Sequence, residues 1–177
     1  IWSFTPSDPN INNLTNLNPL NIAGQIGANI SDLLIQLFGY VSYLISIIFI
    51  SWSYRLIFQK SLPFYALNIL LVPFLLTTIA SLSILIGLFQ NTGFLSIEII
   101  NLLFEFGFFE TQLKFSLVVI CFSLISILLL FYTMGLTKEE WSLIFISLYK
   151  SIFQLFLISL KGFRVIKNKF ASFNSRK

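Results

Sequence analysis

Three long apolar stretches separated by polar segments dominate the sequence. They cover residues 33–58, 64–89 and 113–132, contain no acidic residue, and carry basic residues only near their ends. At about 1.5 Å per residue, a helix of about twenty residues crosses a hydrocarbon core of about 30 Å. The pattern predicts an all-α integral membrane protein with three complete transmembrane helices.

The segment before the first apolar stretch is polar and rich in turn-forming residues. It begins IWSFTPSDPNINNLTNLNPLN. Proline lacks an amide donor, and Asn, Asp and Ser side chains bond to nearby backbone, so these residues favour turns over helices. The sequence predicts a loop over residues 1–32, with regular structure only in its last third.

The connection over residues 90–112 has a helical pattern of its own. Glu98, Asn101 and Glu105 recur at helical spacing, with mostly apolar residues between them. This arrangement is typical of a short amphipathic helix in the membrane interface. An acid–base pair is the alternative interpretation of Glu98 and Glu105, but no nucleophile, histidine or metal-ligand set accompanies them.

A new helix is predicted after the third apolar stretch. Gly135 can end the preceding helix, while Thr137 and Glu140 have the spacing of a capping box. If residues 137–160 crossed the membrane, Lys150 would lie near mid-bilayer at a cost of about 2.5 to 3.5 kcal/mol. We therefore expect an interfacial helix at 137–160, a membrane domain at 1–136, and a basic segment at 161–177 that begins a linker.

Composition supports the membrane class and leaves little catalytic chemistry. The 177 residues are 56% hydrophobic and only 10% charged, whereas soluble domains average roughly 25% charged residues. Histidine is absent and Cys121 is the only cysteine, which excludes bis-histidine haem ligation and an intrachain disulfide. We predict no catalytic, cofactor-binding or metal-binding residue in this chain.

Charge distribution predicts the orientation. Basic residues gather after the first stretch and in the C-terminal tail, whereas acidic residues gather in the opening loop and the 90–112 connection. Because positively charged loops stay in the cytoplasm, we expect the opening loop and the 90–112 connection to be extracytoplasmic and the C-terminus cytoplasmic. This topology also predicts a further span before Ile1, of which only the tail end is present.

The opening loop and the helix start that follows it resemble a known family. The segment resembles the amino-terminal four-span domain of the FtsK/SpoIIIE DNA translocases in the order of its motifs. A Pro-Ser-Asp-Pro turn comes first, then an Asn-x-x-Gly-x-x-Gly-Ala stretch, and then a helix start with Asp-Leu-Leu and Phe-Gly. Over the rest of the chain only hydropathy, loop order and the GLTKEEW exit correspond. The motif positions are Pro6, Ser7, Asp8, Pro9, Asn21, Gly24, Gly27, Ala28, Asp32, Phe38 and Gly39.

These motif positions predict a structural role. Gly24 and Gly27 could admit a neighbouring helix or could simply loosen the entry to the helix, and the sequence leaves both interpretations open. The second outer connection departs from the family, in which it tends to be glycine-rich.

The resemblance implies a membrane anchor for a DNA translocase at the septum of the bacterial inner membrane, active in cell division and chromosome partition. The expected partners are membrane lipids and divisome proteins. The protein would form a homo-oligomer through its motor, and it would bind double-stranded DNA only through that motor. No phosphate loop occurs in these residues, so ATP and Mg would belong to a motor elsewhere in the protein, and this chain is not an enzyme. The alternative is a subunit of a small-molecule transporter or channel.

Overall fold

The computed structural model describes residues 1–58, 60–61, 64–89 and 91–154, and the predicted linker at 161–177 lies outside them. The described residues form two compact units, Ile1–Gly135 and a second unit from Leu136 onward. No strand occurs in the described part of the chain. The predicted all-α class is therefore confirmed.

The first unit contains five α-helices and one 3-10 segment. Three helical runs are long and apolar enough to cross a membrane, Gly24–Ile57, Tyr65–Leu85 and Gln112–Thr133. In chain order the elements are α1 Gly24–Phe38, the 3-10 segment Gly39–Tyr43, α2 Leu44–Ile57, α3 Tyr65–Leu85, α4 Phe94–Glu105 and α5 Gln112–Thr133.

The first predicted span differs most from the structure. Sequence reasoning placed one helix over 33–58, but α1 begins at Gly24 and ends at Phe38, where Gly39 adopts φ 63° and ψ −152°. An L side chain rarely adopts that backbone conformation, so glycine permits the break. The chain continues as the 3-10 segment and then as α2.

The interior of this unit lies where α1, the 3-10 segment, α3 and α4 meet. The buried core residues are Phe38, Val41, Leu76 and Ala80, with Leu95 of α4 packed against them. Helix α5 packs mainly on α3. Close packing at these contacts fixes where the motif residues of α1 lie.

The middle of α2 is hydrogen-bonded to the end of α5. The Trp52 indole N–H donates to the Thr133 carbonyl at 2.7 Å, and the Ser51 hydroxyl donates to the Met134 carbonyl at 2.8 Å. Gly135 follows with φ 63° and ends the helix, as the sequence predicted.

The second unit begins with the predicted capping box. The Glu140 N–H donates to Thr137 Oγ1 at 3.3 Å, and the Thr137 N–H donates to Glu140 Oε2 at 2.9 Å. Residues 138–154 are helical up to the last described residue. The predicted helix start is confirmed, and its position at the inner interface stays a prediction.

Candidate functional site

The Pro-Ser-Asp-Pro segment forms a hydrogen-bonded turn. The Asp8 N–H donates to the Thr5 carbonyl at 3.0 Å, which places Pro6 and Ser7 at the two central positions. Proline suits the first of these because its φ is already fixed near the required value. The turn directs the buried Asp8 side chain inward and leaves Ser7 exposed.

Asp8 is the centre of the folded opening loop. Its carboxylate is 3% exposed, and each oxygen accepts one backbone N–H, from Leu20 to Oδ1 at 2.9 Å and from Asn21 to Oδ2 at 3.0 Å. A buried charge needs such hydrogen bonds to offset the loss of water. Asp8 thereby connects the first turn to the residues just before α1.

Asn21 continues this connection into α1. Its side-chain oxygen accepts from the Ala23 N–H at 3.1 Å, and its side-chain nitrogen donates to Ser31 Oγ at 3.3 Å. A Cβ at Gly27 would collide with that same Asn21 oxygen. We call Asp8, Asn21, Gly27 and Ser31 the N-terminal clasp.

The loop also lies along one side of α1. The Gln25 side chain donates to the Pro9 carbonyl at 2.7 Å, and the Asn12 side chain donates to Asp32 Oδ2 at 3.0 Å. Asp32 Oδ2 also accepts from Gln36 at 2.7 Å. The loop and the helix are therefore one folded element.

A second close contact joins the end of α1 to the segment before α4. A Cβ at Gly39 would collide with the backbone of Asn91 and Thr92, and a Cβ at Gly93 would collide with the backbone of Leu37 and Gly39. The Tyr40 N–H donates to the Asn91 carbonyl at 3.1 Å. We call Gly39 and Gly93 the glycine crossing.

The structure answers the open question about the two other glycines. Gly24 has φ 63° and no atom near its missing Cβ, so it serves the entry to α1. Gly27 admits the Asn21 and Ala23 side chains rather than a neighbouring helix. Ala28 and Phe38 are buried in the packed face of α1.

Sequence reasoning missed Ser31, Gly93 and Ser96. Ser96 is fully buried, and its hydroxyl donates to the Thr92 carbonyl at 2.5 Å, which stabilises the segment that Gly39 approaches. Ser31 lies four residues after Gly27, and Gly93 ends an Asn-Thr-Gly sequence just before α4, so local sequence was the signal available for both.

In the described residues, the motif positions of the clasp and the crossing make hydrogen bonds and close backbone contacts. No group of three or more His, Cys, Asp or Glu side chains in the described ranges is placed to hold a metal ion. Two clefts of about 360 Å³ each lie along the helices, and neither is lined by a carboxylate. One borders Trp52 and Asn68, and the other borders Leu103, Lys114 and Cys121.

Comparison with known proteins identifies the region that contains the clasp and the crossing. The family described as "4TM region of DNA translocase FtsK/SpoIIIE" matches residues 1–101. The DNA translocase FtsK of Azospirillum brasilense is 35% identical over 63 residues, which cover 34% of this chain and 10% of that protein. No solved structure matches. The clasp and the glycine crossing both lie within the matched residues.

Proposed function

This chain belongs to the 4TM-region family of the FtsK/SpoIIIE DNA translocases, and on that premise we propose that it anchors a DNA-pumping motor in the bacterial inner membrane at the division septum. The family match over residues 1–101 carries the proposal. The anchored motor would serve chromosome segregation during cell division. In this proposal the chain supplies position and contacts and has no chemistry of its own.

The motor would lie in a part of the protein outside these 177 residues. A phosphate loop holds ATP through clustered backbone amides and a lysine, and its Gly-x-x-x-x-Gly-Lys-Ser/Thr pattern does not occur here. ATP, Mg and double-stranded DNA would bind to the motor, which would also form the homo-oligomer. Membrane lipids and divisome proteins would contact the present domain.

Two clusters of contacts at different positions along the helices support the proposed topology. The glycine crossing joins the end of α1, the helix that follows the acidic opening loop, to the connection that contains Glu98 and Glu105. The bonds from Ser51 and Trp52 join α2 to the end of α5, in the turn of α2 that precedes Arg55. Because short basic loops favour the cytoplasm, we assign the first cluster to the outside and the second to the inside.

Impermeant labelling tests this orientation. In the full-length protein with Cys121→Ser and any other cysteines replaced, we expect a cysteine at the exposed Ser7 to react in intact cells. A cysteine at the exposed Ser61 should react only after permeabilisation. Labelling of Ser61 alone in intact cells would invert the topology.

A domain exchange tests the septal role. The full-length protein, tagged with a fluorophore, is compared with a variant in which this domain is replaced by an unrelated anchor with the same number of spans. We expect the exchange to abolish midcell enrichment while the ATPase activity of the purified protein persists. Midcell enrichment of the exchanged protein would show that this domain does not place the motor.

The transporter alternative has less support in the described residues. Pathways through membranes usually place ionisable side chains inside the spans. Within α2, α3 and α5 the charged side chains are Arg55 in the last turn of α2 and Lys114 near the start of α5. Substrate flux into vesicles that contain the protein would favour the alternative.

A further inference from the structure

Helix α1 has three distinct faces. Its buried face consists of Ala28, Ser31, Ile35 and Phe38. A polar face contains Gln25, Asn29, Asp32 and Gln36 at helical spacing. The third face is an aliphatic stripe formed by Ile26, Ile30 and Leu33, whose side chains are 71%, 53% and 56% exposed.

The protein itself buries one of these faces and makes hydrogen bonds to a second. The buried face packs toward α3 and α4. The opening loop lies along the polar face through the bonds from Gln25 to Pro9 and from Asn12 to Asp32. The aliphatic stripe is left as the exposed apolar side of the helix.

The length of the first apolar run shows that α1 is not needed to cross the membrane. Gly24–Ile57 contains 34 residues, and a continuous helix of that length would measure about 51 Å, far more than a core of about 30 Å. The 3-10 segment and α2 together measure about 31 Å. The break at Gly39 therefore separates a segment of spanning length from a surplus helix.

We propose that α1 lies in the outer membrane interface and binds lipid acyl chains through Ile26, Ile30 and Leu33, so that the membrane crossing begins at Gly39. The stripe carries no charge, and it is continuous along the chain with a candidate span. Amphipathic helices with an aliphatic face and a polar face bind at this depth. A protein partner is the weaker fit, because anchor residues at protein interfaces are enriched in Trp, Tyr and Arg.

This inference rests on the proposed membrane topology, and spin-label accessibility tests both separately. Single nitroxides are placed at Ile26, Ile30 or Leu33 in the full-length protein, with Cys121→Ser and any other cysteines replaced. The protein is reconstituted in vesicles of phosphatidylethanolamine and phosphatidylglycerol. Labels at Ser7 in the exposed turn and at Leu124, 57% exposed on α5, serve as water and lipid references.

Accessibility of each label is measured to two reagents, molecular oxygen, which concentrates in lipid, and a water-soluble nickel complex. We expect the ratio of oxygen to nickel accessibility at the three stripe positions to be several-fold above that at Ser7 and to approach that at Leu124. Stripe labels that match Ser7 while Leu124 remains in lipid would overturn the inference and leave the anchor proposal standing. Water exposure at Leu124 as well would overturn both.

Contact with protein would also be distinguishable. Low accessibility to both reagents would show that protein covers the stripe. Spin–spin broadening that disappears on dilution with unlabelled protein would show that a second copy covers it. Either result would overturn lipid binding by α1.

Discussion

The N-terminal clasp and helix α5 belong to the same compact unit, but different kinds of contact hold them. The clasp depends on individual atoms, since both oxygens of Asp8 and both polar atoms of Asn21 have hydrogen-bond partners. Of the 22 residues of α5, only Val118, Ser126 and Thr133 are buried within the molecule.

This difference predicts how far each region tolerates substitution. A carboxylate that binds two backbone amides, or a glycine that lies against another backbone, has no chemical substitute. A side chain that faces lipid can be replaced by almost any aliphatic residue of similar length. The matched residues 1–101 contain the clasp and the crossing together with the apolar helices α2 and α3, and they end before α5.

The largest expected effect is at the glycine crossing. Gly39→Ala adds a Cβ at φ 63° and ψ −152°, a backbone region nearly restricted to glycine, at about 1 to 3 kcal/mol, and it overpacks the backbone of Asn91 and Thr92, at about 1 to 3 kcal/mol. We expect a total loss of about 2 to 6 kcal/mol in the free energy of unfolding. Thermal unfolding of the detergent-solubilised protein measures it.

Gly87→Ala is a control for the positive φ of Gly39. Gly87 has φ 67° and no atom within 4 Å of its missing Cβ, so this variant incurs only the backbone strain. Equal losses in the two variants would show that the close approach of Gly39 does not contribute.

The next effect is at Asp8. Asp8→Asn replaces one accepting oxygen with an NH₂ donor that faces a backbone N–H, which leaves one buried amide unpaired. We expect a loss of about 1 to 3 kcal/mol and faster proteolysis between residues 8 and 21. Cleavage rates and thermal unfolding measure the two effects.

Asp32→Asn is the matched control for Asp8. Both bonds to Asp32 reach Oδ2, so an asparagine there keeps the oxygen that accepts them. A loss at Asp32 equal to that at Asp8 would mean that removal of charge, rather than the unpaired amide, destabilises the loop.

A smaller effect is expected on α5. Leu124 is 57% exposed, and Leu124→Ala should change the free energy of unfolding by no more than about 0.5 kcal/mol. Val118 on the same helix is buried, so Val118→Ala should cost more because it opens a cavity. A larger loss at Leu124 than at Val118 would indicate that protein rather than lipid covers that side of α5.

The sequence predicted the elements that depend on local pattern. Hydropathy placed the helices that the structure shows as α3 and α5, amphipathic spacing placed α4, and residue types placed the Thr137 capping box. Each of these signals lies within a few neighbouring residues, because it depends on length, helical period or capping chemistry.

The contacts that build the clasp and the crossing could not be predicted in this way. Asp8 and Asn21 are 13 residues apart, and no periodicity relates Gly39 to Gly93. Hydropathy also passes smoothly over Gly39, so the break between α1 and the 3-10 segment was missed. These features depend on which backbone segments meet in the folded chain.

The smallest expected effect is an exposed ion pair at the start of α5. Lys114 Nζ lies 2.8 Å from Glu110 Oε2, and this hydrogen bond, with the attraction of the ammonium charge, lowers the pKa of Glu110. Because the pKa is lower in the folded state than in the unfolded chain, the stabilisation is present above the unfolded pKa. It is lost as the pH falls through the folded pKa.

Glu110→Gln should therefore be slightly less stable than the natural protein at neutral pH, and the two unfolding temperatures should converge on acidification. High salt at neutral pH should reduce the same difference, because an exposed pair is screened by solvent and ions. A difference that persists unchanged in acid would show that Glu110 acts through its packing instead of its charge. It would then belong with the atom-specific contacts of the clasp, although it lies just before the least buried of the three candidate spans.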